Sequence, residues 1–235
     1  MSERQRLRPD YDLALPSLDI DPGSRGMVYR AIPAGSRVLD VGCDTGRFGG
    51  ELKQRKGCTV CGIESDALAA EAARARLDQV QVQEIHDESS FAGLTGFDVV
   101  LFLDVLEHLA DPWAALAGAR RSLRIGGKLF VVVPNIAHIS VVRRLLKGEF
   151  EYVAHGTMDR THLRWFTRKS LSSALLRAGF DTNRVEPIPL LPRFGDTALG
   201  RIISRPLVCA LPDLFGGSLL GVGCVSSPTA GVDQD

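Results

Sequence analysis

Net charge is the first thing this chain lacks. Its 28 Lys and Arg residues are balanced by 28 Asp and Glu. A protein that neutralises a phosphate backbone usually carries a basic excess, so no nucleic-acid partner is expected. Unbroken apolar runs are missing too. The apolar tail, Leu199 to Val225, is interrupted by Arg201, Arg205, Pro206, Pro212 and Asp213. That is too broken for a membrane span, which needs about 20 apolar residues. The first ten residues, MSERQRLRPD, are charged and no apolar stretch follows them. No secretory leader is read there, and a cytoplasmic location is expected. Cysteines are few and odd in number, at 43, 58, 61, 209 and 224, mostly in apolar runs. They read as buried, reduced thiols. Cys58 and Cys61 have no second cysteine pair, and strand alternation points them to opposite faces, so no zinc or redox site is expected there. Internal repeats and low-complexity segments are absent.

Two nucleotide-binding signatures are also missing. A G-x-G-x-x-G fingerprint fails because Asp44 stands two residues after Gly42, and a Walker loop fails because Gly46 is followed by Arg47 and Phe48. What stands there instead is VLDVGCDTG, residues 38–46: an apolar run ending in Asp40, then Gly42 and Gly46. This pattern predicts a buried strand, a tight turn where a ligand approaches the backbone, and a helix from near Arg47. The next apolar run, Cys58 to Ile63, ends in Glu64, an acid placed to accept from a ribose hydroxyl pair. Asp40, Asp44, Glu64, Asp66, Asp87 and Asp104 give the expected rim a negative character, offset locally by Arg47. Acids there repel a pyrophosphate, which would otherwise favour a helix N-terminus. They suit a ligand with ribose hydroxyls, an ammonium and a sulfonium. S-adenosylmethionine fits that description.

The 235 residues, 45% hydrophobic, suffice for one α/β domain with its own core. Strands are expected near 37–42, 58–63, 79–85, 97–103 and 127–133. Helices are expected near 24–32, 46–56, 66–77 and 111–124, the last capped by Asp111 with Pro112 at its first position and closed by Gly126-Gly127. This alternation means a doubly wound, mostly parallel sheet. After Pro134 the pattern changes. Residues 135–166 are rich in His, Arg and aromatics, with a short helix near 139–147. A helix near 168–178 ends at Gly179. Two further strands fall near 183–190 and 218–226, and Pro187 and Pro189 place the first at the edge or end of the sheet. Within this single domain, 1–35 is an N-terminal arm or lid, 36–135 the cofactor core, 136–182 an acceptor-side lobe and 183–226 the final strands.

VLDVGCDTG, the acid in GIESD, the His86-Asp87 pair, FDVVLFLDVLEHLADPW and LRIGGKLFVVVPN occur in order over residues 36–135. Together they resemble the class I S-adenosylmethionine-dependent methyltransferases. PNIAHISVVRRLLKGEFEY followed by MDRTHLRWFT, over 134–167, is similar to bacterial methyltransferases of the Methyltransf_23 type. Many of those lie among genes for cell-surface polysaccharide or natural-product assembly. One departure is Asp44, where the wider superfamily usually has Gly. The resemblance implies a seven-stranded Rossmann-like sheet whose last strand is inserted antiparallel, and a helical insertion on the acceptor side.

It also implies roles. Gly42, Cys43, Asp44 and Gly46 form the turn against the methionine part of the cofactor, and Asp40 holds its ammonium. Glu64, with Ser65 beside it, takes the ribose hydroxyls. Asp87, with Glu88 as neighbour, accepts from the adenine amino group, or else caps a helix. Asp104 sits at the methyl-donor end. Methyl transfer is an in-line displacement that needs proximity and alignment, and a hydroxyl acceptor also benefits from a base. His162, His108 and His138 are the candidate bases, with His155 a further histidine in the lobe. A buried His162 that pins the lobe through Asp159 and Arg164 is the plainer alternative. Asp159, Arg160, Arg164, Trp165 and Arg144 are candidate acceptor contacts, while Arg143, Arg144 and Lys147 also read as a solvated face. No resident metal is expected, although Glu107 and His108 are residue types that hold a divalent ion. The expected activity is O-methylation of a sugar, glycan or natural-product hydroxyl, with S-adenosylhomocysteine as product. N- or C-methylation and a non-catalytic cofactor-binding module stay open, as does a homodimer formed through the apolar tail.

Overall fold

The computed structural model describes residues 18, 23–189 and 210–226. Seven strands are formed: β1 (Arg37–Val41), β2 (Thr59–Glu64), β3 (Gln79–Val82), β4 (Phe97–Leu103), β5 (Leu123–Pro134), β6 (Asp181–Pro189) and β7 (Gly216–Cys224). They join into one sheet in the order β3-β2-β1-β4-β5-β7-β6. The first five strands run parallel. β7 inserts antiparallel between β5 and β6, as the resemblance implied. β6, the strand carrying Pro187 and Pro189, lies at the sheet edge, where a missing N–H costs no ladder bond.

The helices are α1 (Ser24–Ala31), α2 (Arg47–Lys56), α3 (Ala67–Arg74), α4 (Pro112–Ser122), α5 (Ile139–Leu145), α6 (Arg168–Arg177) and a short α7 (Pro212–Phe215). One apolar layer sets Tyr29, Ile32, Leu52 and Ala73 against Val38, Val60 and Leu101 of the sheet. The opposite layer sets Leu116, Leu171 and Leu175 against Leu39, Ile63 and Phe102. Strand alternation sorts Cys58 into the first layer and Cys61 into the second, so the sheet separates the two thiols.

The main difference from expectation is the α4–β5 boundary. Asp111 caps α4 as foreseen, accepting from the N–H groups of Trp113 and Ala114. The helix ends at Ser122, however, and Leu123 already pairs with Phe97. Gly126, with φ of 78°, therefore lies inside the strand and does not close the helix. Sheet pairing outweighs the local helix signal there. The arm read over 1–22 and residues 199–209 of the apolar tail lie outside the described residues, except Leu18. Residues 216–224 of that tail form β7, paired on both sides within the sheet. No helix among the described residues is long and apolar enough to cross a membrane.

Residues 135–166 cross the carboxyl end of the sheet with little regular structure beyond α5. They are pinned at both ends. Asn135 and Phe166 form a parallel bridge, and the carbonyl of Glu107 accepts from the N–H groups of Leu163 (2.7 Å) and Arg164 (3.0 Å). Asn135 is fully buried. Its Nδ2 donates to the carbonyls of Asp213 (2.7 Å) and Gly216 (2.8 Å), and its Oδ1 accepts from the N–H of Ala137 (3.0 Å). That one amide clamps the end of β5, the start of β7 and the lobe. Asn135→Ala leaves three backbone groups, one buried and two part-buried, without their partner, and is expected to cost on the order of 2 kcal/mol, lowering the melting temperature by roughly 4–8 °C. Thermal unfolding followed by circular dichroism checks this, and an unchanged midpoint would remove the clamp from the account.

Candidate active site

A cleft of about 1010 Å³ opens at the carboxyl ends of β1 and β4, roofed by the lobe. Ligands of parallel α/β sheets bind at this edge. Its floor is the turn after β1. Gly42 and Gly46 have φ of 70° and 73°, a region that favours glycine. A Cβ on Gly42 would come within 2.6 Å of a Val105 methyl, so the turn is held tightly against the segment after β4. Asp44, with φ of 49°, is also left-handed. Asp tolerates that conformation better than most residues.

The acids separate by how each is satisfied. Glu64 is buried, and its carboxylate accepts from the N–H of Asp44 (2.8 Å) and of Asp66 (2.8 Å). It ties the β1 turn to the β2 turn and keeps lone pairs for a hydroxyl pair. Asp40 is also buried. Burial chiefly pushes its carboxyl up to about 7; Arg25 pulls it down, and Glu64 and Asp44 push it further up. Arg25, on α1, also faces Asp104 at 3.4 Å. Asp104 has φ of 61° and lies on the cleft wall. Glu107 is 1% exposed. Burial first, then the neighbouring Asp104 charge, raises its carboxyl well above the usual range. Its Oε2 has no hydrogen-bond partner among the described residues.

Glu107 sits beside two imidazoles. The rings of His108 and His162 meet edge to face with centroids 4.8 Å apart. His162, from the lobe, is buried, and His108 is exposed. His162 Nδ1 lies 3.1 Å from the Thr157 carbonyl. His108 Nδ1 lies 3.3 Å from the Thr161 carbonyl and 3.2 Å from the Thr161 hydroxyl. That hydroxyl donates to Asp159 at 2.7 Å. Asp159 is held below the usual carboxylate range: burial opposes this, but the Thr161 N–H and hydroxyl and the two histidines prevail.

The cleft gathers Asp40, Gly42, Cys43, Asp44, Asp104, His108, His138, Asp159 and His162. Other expected residues are placed elsewhere. Asp87 accepts from the N–H and hydroxyl of Ser89 and caps the single-turn helix Glu88–Phe91, while Glu88 pairs with Arg121. Neither is among the residues that line the cleft, and Asp87 makes the cap that was its alternative role. Ser65 is exposed, with its hydroxyl 3.4 Å from Glu64. Among the expected acceptor contacts, Arg144, Arg160, Arg164 and Trp165 do not line the cleft. Arg144 faces Glu151 at 3.6 Å and Arg160 is exposed. Arg164 donates to the Ala110 carbonyl, and Trp165 donates to the Thr157 carbonyl within a cluster with Phe150 and Tyr152. Arg164 and Trp165 hold the lobe together. His138 is also redirected. Its Nδ1 accepts from Ser140, capping α5, which leaves the ring proton on Nε2, and burial lowers its pKa. Sequence reasoning missed Arg25, 79 positions from Asp104; no local pattern signals that pairing.

Three comparisons bear on this geometry. A family model, Methyltransf_23, described as a methyltransferase domain, matches residues 24–185. Ubiquinone biosynthesis O-methyltransferases from Thiobacillus denitrificans and Pseudomonas aeruginosa are 30% and 32% identical to the chain, over 163 and 166 residues, 66% of this chain and 69% of each relative. The structure of an S-adenosylmethionine-dependent methyltransferase from Archaeoglobus fulgidus superposes with a TM-score of 0.62 at 20% identity, covering 88% of this chain and 96% of that one. The last likeness concerns the fold alone.

The Asp40 carboxyl generates a pH prediction. Its folded pKa of about 7 lies above its ordinary 3.8, so the folded chain holds this proton more tightly than the unfolded chain. The stability this contributes is complete below about pH 4 and lost as pH rises through about 7. Asp40→Asn has no proton to lose. Its stability relative to the parent is expected to rise steadily between about pH 4 and about pH 8. Urea unfolding across that range measures the difference, and parallel pH profiles would count against a neutral buried Asp40.

Proposed function

The chain belongs to the Methyltransf_23 family of methyltransferase domains, and from that premise we propose that it transfers a methyl group from S-adenosylmethionine to a hydroxyl oxygen of a small molecule or glycan. The residues present fit this cofactor. Asp40, Asp44 and Asp104 give the floor a negative character suited to an ammonium and a sulfonium, and the left-handed Gly42 lets the backbone approach. When bound, the cofactor supplies an electrophilic methyl on a positively charged sulfur.

The chain's own residues then position and deprotonate. Asp40 faces the ammonium, whose charge favours its carboxylate form. Glu64, anchored by two amides, offers its remaining lone pairs to the ribose. Asp104 and Arg25 close the wall toward the methyl-donor end. The acceptor enters under the lobe, and its hydroxyl meets the corner of Glu107, His108 and His162, where the proton is taken up. The observation that carries the reading is this corner: two imidazoles in contact beside a buried carboxyl, on the wall of the cofactor cleft. An amine acceptor has little use for such a basic corner. The relatives named as O-methyltransferases support the same assignment.

Two expectations follow. S-adenosylmethionine and S-adenosylhomocysteine bind and NADH does not; affinity for S-adenosylmethionine tightens between about pH 6 and about pH 7 as Asp40 ionises, and Asp40→Asn abolishes that slope. Calorimetric titration reads both, and a flat parent profile would dissociate Asp40 from the ammonium. In a methyl-transfer assay over a panel of sugars, phenols, catechols and amines, hydroxyl acceptors are turned over. His162→Ala is expected to lower kcat by about 10²-fold or more while cofactor affinity holds. Turnover confined to amines, undiminished in that variant, would replace the O-methylation reading with N-methylation.

A further inference from the structure

We propose that His138 is a specificity-determining hydrogen-bond donor to the methyl acceptor, and that with Asp159 it recognises the hydroxyls of a neutral sugar. His138 belongs to the lobe that roofs the cleft, and it lines the cavity where the chain leaves β5.

The ring is fixed in one tautomer. The main-chain N–H of Ser140 can only donate, and it meets Nδ1 at 3.4 Å, with the Ser140 hydroxyl 2.8 Å from the same nitrogen. Nδ1 is therefore an acceptor, and the ring proton resides on Nε2. That N–H is buried and bonds to nothing among the described residues. A buried donor left without a partner is costly, and such groups in folded proteins call for one. Burial also lowers the pKa of the ring, so it donates without carrying a charge. Its side-chain tether among the described residues is Ser140, which is exposed. A tilt of the ring brings Nε2 to the cleft surface, where an oxygen of the acceptor completes it.

Asp159 supplies the complementary group. Its Oδ1 accepts from the Thr161 N–H (2.8 Å) and the Thr161 hydroxyl (2.7 Å), which leaves Oδ2 as an acceptor for the cavity that Asp159 lines. Ser218, the β7 residue paired with Pro134, adds a hydroxyl to the same lining. A sugar hydroxyl donates and accepts at once, so a ring that bears several matches a wall offering an N–H, a carboxylate and a hydroxyl. The carboxylates of Asp104 and Asp159 oppose an anionic acceptor. An acceptor without a second oxygen leaves the His138 N–H unmade, and a site built to hydrogen-bond its substrate rejects analogues that lack the partner. The inference rests on the O-methylation reading above. His138 holds the sugar in place while another hydroxyl of the ring takes the methyl.

The test separates the donor from the cap. Asn places its oxygen where His138 has Nδ1 and nothing where it has Nε2. Gln places an N–H near the Nε2 position and nothing at Nδ1. The methyl glycosides of glucose, mannose and galactose are assayed for methyl transfer by the full chain, with methyl glucuronide, phenol, catechol and amines alongside. The glycosides are also titrated calorimetrically into the complex with S-adenosylhomocysteine. A neutral glycoside is expected to bind and to be methylated, with kcat/KM at least tenfold above the glucuronide. His138→Asn keeps the cap, and should lower kcat/KM for that glycoside tenfold or more, chiefly through KM, while the melting temperature and S-adenosylhomocysteine affinity hold. His138→Gln should recover most of that loss. A purely structural role gives the reverse order, so an unimpaired His138→Asn beside an impaired His138→Gln overturns the proposal. Imidazole nitrogen shifts, read by nuclear magnetic resonance, report the tautomer directly, and a His138 proton on Nδ1 overturns it as well. Turnover confined to phenols and catechols overturns the sugar assignment and leaves the O-methylation reading standing. Glycoside binding that depends on His138, without turnover of any hydroxyl, upholds the recognition and sinks that reading.

Discussion

Three carboxyl groups are buried along one edge of this sheet, on Asp40, Glu64 and Glu107, and the site follows from how each is kept from being an unpaired charge. Glu64 is satisfied by backbone, through the amides of Asp44 and Asp66. Asp40 is left near neutrality, with its proton held to about pH 7 and Arg25 as its cationic neighbour. Glu107 keeps one oxygen bare. Buried acids cost stability unless compensated, and here two of the three wait on something outside the chain. On the proposed reading, the cofactor's ammonium meets Asp40, while Glu107 stands beside His108 and His162. The two are separated by the turn that Glu64 holds.

The lobe is what makes the second of these a site. Residues 135–166 have few regular elements, yet several long-range bonds fix them. The Glu107 carbonyl accepts from Leu163 and Arg164, the Arg164 side chain donates to the Ala110 carbonyl, and Asn135 ties the lobe's entry to β7. The same backbone carbonyl that anchors the lobe belongs to the residue whose side chain enters the His108–His162 corner. Placement of His162 is thus coupled to that of Glu107 through two hydrogen bonds, and not through loop packing alone. A cleft wall assembled in this way keeps its geometry without a regular element behind it.

Much of this was legible in the sequence because the signals were local. The β–α alternation, the Asp111-Pro112 cap, the glycine turn after β1 and the prolines of β6 each depend on residues within a few positions, and each lies where expected. The α4–β5 boundary failed because Gly126-Gly127 is an ambiguous punctuation mark: it breaks a helix but also bends a strand, and only the partner β4 decides. Asp87 caps the single-turn helix through Ser89 and Ser90, the local alternative that its sequence neighbours offered. Arg164 and Trp165 looked like acceptor contacts by composition, but long polar and aromatic side chains also serve as lobe glue, and periodicity carries no information on which way an irregular segment turns. Arg25 and the meeting of His162 with Glu107 are tertiary events across many intervening residues. Of the arm over 1–22 only Leu18 is among the described residues, and it lines the cleft.

Asp44 shows how one position does two jobs at once. The turn between β1 and α2 needs a left-handed residue between Gly42 and Gly46, and Asp44 supplies it at φ of 49° while its N–H is held by Glu64. Gly would meet the same backbone demand with less strain. What Asp adds is a negative charge at the mouth of α2, where the helix N-terminus would otherwise favour an anion. The conformational cost of a non-glycine residue in that region is small beside the electrostatic difference between welcoming a pyrophosphate and welcoming an ammonium. Near a buried Asp40 and a cleft-lining Asp104, that charge adds to the acidic character of the cleft floor.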